Sequence, residues 1–241
     1  MTMRALLVRG MLAGLLAAAA GLIFAWLFGE PEVSLAIAVE HHHADAGEPE
    51  PVSRIVQQTL GLAVGLGMFG VALGGLFGVA FAIAYGRIGR FSARATAALV
   101  AGGGFVAVAL VPFLKYPANP PAAGSPDTLG MRTGAYFALI AVSIVIVIFS
   151  VQVGRRLAAR LGDWNATLVG GGVLIALVAV ACLVLPEVDE VPAGFPAEVL
   201  WRFRIASFGI HAVLWTVLGL VFGALTERRT VSEPQAAKAP M

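Results

Sequence analysis

GAYFALIAVSIVIVIFSVQV occupies residues 134–153 and contains no Asp, Glu, Lys or Arg. A bilayer's hydrocarbon core is crossed by about 20 apolar residues in a helix, and this stretch has that length. Working outward, five more stretches are equally free of charge: 10–28, 60–86, 96–114, 167–185 and 205–225. The second is long enough to tilt or to reach past one interface. Glycine, frequent in several of them, weakens helices in water but suits helices that pack closely in lipid. The expected fold class is all-α, a polytopic transmembrane helical bundle of about six spans. The count falls to five if the first is cleaved or absent.

Composition agrees. Of 241 residues, 59% are hydrophobic and 12% charged, and the mean hydropathy is +0.89. A soluble domain carries about 25% charged residues, so half that share cannot cover a water-facing surface. Disorder, collagen-like structure and a disulfide scaffold are excluded on the same grounds. Cys182 is the only cysteine, so no intrachain disulfide exists, and it reads as a small thiol buried in an apolar run. Arg4 and Arg9 precede the first stretch like the basic start of a signal peptide. The apolar run continues through Leu22, Ile23, Trp26 and Phe28, longer than a signal peptide's core, so it is read as a retained helix.

The charges sort by loop. One side collects the N-terminus, the second and fourth connections and the C-terminal tail, with 11 basic and three acidic residues (Asp163, Glu227, Glu233). The other side collects five basic and 11 acidic residues, among them Glu30, Glu32, Glu40, Asp45, Glu48 and Glu50. Lys and Arg mark the cytoplasmic side. The expected arrangement is a multi-pass protein of the plasma membrane with N- and C-termini cytoplasmic. Residues 1–225 form the bundle, with a His- and acid-rich outer loop at 29–56, and 226–241 form a disordered cytoplasmic tail. Within that outer loop, 33–39 is mostly apolar and lies at the interface or extends the first helix. Pro117, Pro120, Pro121 and Pro126 argue against helix in the third connection.

Small residues four apart, Gly61/Gly65, Gly70/Gly74/Gly78 and Gly219/Gly223, predict close helix packing, within the chain or onto a partner or translocation path. Chemistry concentrates in the outer loop, where Glu40, His41, His42, His43 and Asp45 run almost consecutively. Imidazole nitrogen with carboxylate oxygen suits borderline divalent ions such as Co²⁺, Ni²⁺ and Zn²⁺, so these five are candidate metal ligands in a loose capture site. His211 lies within the last span, about 9 Å in from Ile205 at 1.5 Å per residue. An ionisable group at that depth is a functional candidate, and it is the next ligand for an ion moving inward. No Asp or Glu sits mid-span in any of the six stretches, so no carboxylate proton relay is evident. The P-loop, H-E-x-x-H and G-x-S-x-G patterns are absent, nothing supports an enzyme, and the scattered arginines give no nucleic-acid surface.

Several segments resemble the predicted cobalt transporter subunit family CbtA in its actinobacterial form. They are Val52-Ser53-Arg54, Gly86-Arg87-Ile88-Gly89-Arg90, Pro112-Phe113-Leu114-Lys115-Tyr116-Pro117-Ala118-Asn119-Pro120-Pro121, residues 130–136 and 190–195, and Leu200-Trp201-Arg202-Phe203-Arg204. The resemblance implies Co²⁺ uptake tied to cobalamin synthesis and a small single-span partner, CbtB. The family is described with five spans, against six counted here, and no agreed functional residues come with it. The expected function is therefore a membrane subunit for uptake of a divalent metal, Co²⁺ or Ni²⁺ being the transported ion and no cofactor permanently bound. The alternative is a non-transporting membrane scaffold or accessory subunit that binds a partner protein.

Overall fold

The computed structural model describes residues 1–41, 52–121, 128–188 and 190–232. Among these the chain is helical and has no strand. Five helices are long and apolar enough to cross a membrane: Met3–Val39, Arg54–Ala84, Ala93–Lys115, Leu129–Val184 and Ala197–Glu227. The sequence reading puts 1–225 in one bundle. By internal contacts the chain divides into two compact units, Met1–Gly102 with Ile205–Met241, and Gly103–Arg204.

In the first unit α1 (Met3–Phe24) runs through a π-helical turn, Ala25–Gly29, into α2 (Glu30–His41). The helix therefore runs past residue 29, where the sequence reading begins its loop, and 30–41 extends it. Pro31 explains the π turn. A proline lacks the N–H for the i→i−4 bond, and its ring crowds the carbonyl four residues back, here that of Leu27. A π turn loosens the ladder at that point. The same pairing recurs where a π turn at Val106–Leu110 precedes Pro112, in α6 (Val111–Lys115). The third π turn, Gln57–Gly61, joins α3 (Arg54–Val56) to α4 (Leu62–Ala84) and has no proline.

α1 and α4 lie antiparallel with backbones in contact. A Cβ at Gly10 would fall on the carbonyl of Gly74, one at Gly14 on that of Gly70, and one at Gly78 within 2.7 Å of the Leu6 oxygen. The Gly70/Gly74/Gly78 face thus serves packing within this chain. The Gly219/Gly223 face of α8 (Ala197–Ser232) likewise meets α5 (Ala93–Phe105) at Ala101, Ala97 and Arg94. Gly65 has open space instead. Below these contacts Phe222 packs edge-on to Phe77 (5.1 Å between centroids) and Phe81 (4.9 Å). Leu214 and Leu218 complete this core. α8 continues to Ser232, so 226–232 is helix rather than the expected disordered tail. Thr226 is fully buried and the Glu227 carboxylate accepts from the Arg94 backbone N–H at 3.2 Å, which carries the helix past the apolar run. Residues 233–241 lie outside the described residues.

In the second unit α7 (Leu129–Val184) is two helical arms joined at a kink, where Gly162 leaves helical geometry at φ 74°, ψ 162°. That left-handed φ suits glycine. The two arms fold back on each other: a Cβ on Gly170 would lie 3.1 Å from the Ser150 carbonyl oxygen and 3.5 Å from the Gly154 Cα. Farther from the turn, Leu139 and Ile146 of one arm pack with Ala181, Leu174, Leu177 and Val178 of the other and with Val111. Residues 116–120 are not helical, as the prolines require.

Candidate functional site

The expected capture cluster is only partly in view. Glu40 and His41 end α2, while His42, His43 and Asp45 lie outside the described residues. Among the described residues no three of His, Cys, Asp and Glu gather closely enough to hold a metal ion. Of the predicted ligands only Glu40, His41 and His211 are among the described residues, and these three form no such group.

His211 is on α8 as expected. It is half-buried, with its ring edge-on to Phe69 of α4 at 6.4 Å between centroids. Its Nδ1 is shut off from solvent and has no hydrogen-bond partner among the described residues. The neighbouring residues fix its place against the first helix: Gly209 faces the Phe24 ring, and the Ile210 side chain lies beside Gly21 and Gly29. A shielded polar atom without a partner loses its solvation uncompensated, and the loss is greater where lipid replaces water.

A second such atom stands about one turn beyond the Gly29–Ile210 contact. Glu32, in the first turn of α2, is half-buried, and its Oε2 is shielded and without a hydrogen bond. Nearby Glu30 differs, since its Oε2 accepts from Arg54 Nη2 at 2.5 Å. Trp26 Nε1 donates to the Gln58 carbonyl at 2.7 Å, tying together two π turns, where shifting the ladder leaves a carbonyl available. The first two long helices are thus clamped together at 26/58 and 30/54, and Glu32 remains unclamped beside them.

Sequence reasoning placed Glu30 and Glu32 ahead of the Glu40–Asp45 cluster in the same loop and did not count Glu32 among the ligands. With the helix carried to His41, Glu30 and Glu32 belong to a helix apolar enough to cross the membrane. The absence of spanning carboxylates therefore holds only for the shorter span. The signal in the sequence is Glu30-Pro31-Glu32 followed by the mostly apolar run 33–39. Imidazole nitrogen and carboxylate oxygen are ligands for borderline divalent ions, and both are here withheld from protein partners.

The motifs quoted above for their resemblance cluster at helix ends. Arg54 pairs with Glu30, and Arg87 Nη1 caps the end of α4 on the carbonyls of Ala82 and Ile83 at 3.2 and 3.0 Å. In the second unit Tyr116 donates to the Pro186 carbonyl at 2.7 Å, and Arg204 Nη2 to Asn119 Oδ1 at 2.9 Å. Glu190, its side chain 7% exposed, accepts from both Thr128 and Arg132. No curated protein and no solved structure matches the chain. Residues 3–227 match the family described as a probable cobalt transporter subunit (CbtA). With nearly its whole length covered, the chain belongs to the CbtA family, a family of transporter subunits rather than enzymes.

Proposed function

We propose that this chain is the permease subunit for Co²⁺ uptake across the plasma membrane, feeding cobalamin synthesis. The observation that supports it best is the pair of shielded, unpartnered ligand atoms, His211 Nδ1 and Glu32 Oε2, inside a member of a cobalt transporter family. In this reading the acidic outer segments raise the local cation concentration, an effect that salt screens. Glu40, His41, His42, His43 and Asp45 capture the ion loosely, and Glu32 and then His211 receive it. Nickel accepts the same ligands, but the family match names cobalt alone. A membrane potential negative inside favours inward movement of a divalent ion by about 4.6 kcal/mol per 100 mV, so accumulation needs no ATP site on this chain. As a subunit it acts with a partner, taken to be the small single-span CbtB-like protein.

The test is radiocobalt uptake in cells expressing the chain alone, with that partner, and with His211, Glu32 or the three consecutive histidines replaced by Ala. Uptake by the pair, reduced by each replacement, is expected. Undiminished uptake in all three variants rejects the ligand assignments. No uptake in any combination rejects the permease and leaves the scaffold.

A further inference from the structure

Far from His211, the start of α1 carries a cleft of about 480 Å³ lined by Thr2, Arg4, Ala5, Val8, Arg9, Leu12 and Leu225. We propose that this cleft holds the phosphate of an anionic phospholipid.

Three observations carry it. The α1 residues recur at the spacing of one helix face, and that face is mixed: Arg4 and Arg9 are basic, while Val8, Leu12 and Leu225 are apolar. Arg4 and Leu12 are about 12 Å apart along the axis at 1.5 Å per residue, so the cleft sets charge and hydrocarbon side by side over that length. That pairing matches a lipid, with a phosphate for the arginines and acyl carbon for the apolar wall. Second, among the described residues Arg9 Nη1, shielded from solvent, has no hydrogen-bond partner, and no acidic side chain lines the cleft. A guanidinium is a rigid fork of donors that fits phosphate oxygens. Third, the cleft opens where the helix passes from its polar first residues to the uncharged run beginning at residue 10, the depth at which a headgroup lies. Free phosphate shares the recognition chemistry but would leave the apolar wall unused.

The full chain, purified in neutral detergent, is titrated with phosphatidylglycerol, with phosphatidylcholine of the same chain length, and with glycerol phosphate. Retention is read by native mass spectrometry and stabilisation by the melting temperature. Phosphatidylglycerol is expected to be retained and to raise Tm, and neither other probe should do so. R4Q/R9Q should weaken its apparent affinity about 25-fold, roughly fivefold for each basic residue. R155Q/R156Q, which removes the same charge elsewhere, should not. Equal binding by wild type and R4Q/R9Q, or an equal loss in R155Q/R156Q, overturns the site. Competition by glycerol phosphate at matching concentration overturns the lipid as its ligand. Should R4Q/R9Q fail to fold, R4K/R9K decides: losing the fork should weaken binding several-fold, and unchanged affinity refutes the assignment.

Discussion

His211 and Glu32 have little structural reason to be polar where they are. Glu30 shows the contrast, because its Oε2 accepts from Arg54 Nη2, although Arg54 Nε has no hydrogen-bond partner among the described residues. Removing Arg54 leaves a part-buried carboxylate unpaired, so R54M should destabilise the chain by an amount between an exposed pair's roughly 1 kcal/mol and a buried pair's roughly 3. R54M/E30L should recover most of that loss, and thermal unfolding in detergent distinguishes the two. Glu32 has no partner to strand, so E32Q should leave the melting temperature near wild type. It should nevertheless lower cobalt uptake about tenfold, no less than the loss of an outer-shell partner at a metal site. A stability loss without an uptake loss would make Glu32 a packing residue. His211 was legible in the sequence because its isolation among apolar residues is itself the signal. Glu32 was not, since reading it required knowing that a π turn lets the helix absorb Pro31.

α1 and α4 pair by backbone approach rather than by large apolar side chains. At Gly14 and Gly70, and again at Gly10 and Gly74, any side chain would overlap a facing carbonyl, which neither backbone can relieve without separating. G74L should therefore cost about 3 kcal/mol or more, the upper end for overpacking. G65A, facing open space, should be neutral or slightly stabilising, as expected for Ala in place of Gly in a helix. Equal melting temperatures for the two variants would show that α1 and α4 are not in backbone contact. The four-residue spacing of these glycines was visible in sequence, but not which face was filled. Gly61 and Gly65 have the same spacing and no close partner. The family-like segments show a similar limit. Tyr116, Asn119, Glu190 and Arg204 are far apart in sequence, and only the fold reveals that they fasten connections together.

At the scale of the whole molecule, the parity of crossings decides on which side each loop lies. Hydropathy alone made the all-helical membrane class legible, because uncharged runs of about 20 residues have few other uses. The crossing count was harder, since α7 runs over 56 residues with only Gly162 outside helical geometry. Fifty-six helical residues laid straight would extend about 84 Å, far beyond a core of about 30 Å, and the arms instead pack on each other about Gly162. If each arm crosses once, the chain crosses six times and its termini share a side. The basic turn with Arg155, Arg156 and Arg160 then lies with them, as the positive-inside rule requires. Single cysteines placed at His42 and at Asp163, in a C182S background, test this with an impermeant thiol reagent. H42C should be labelled in intact cells and D163C only after lysis. Labelling of D163C from outside would mean that α7 does not return across the membrane at Gly162. Labelling of H42C only after lysis would put the histidines on the cytoplasmic side, where they could not capture an incoming ion.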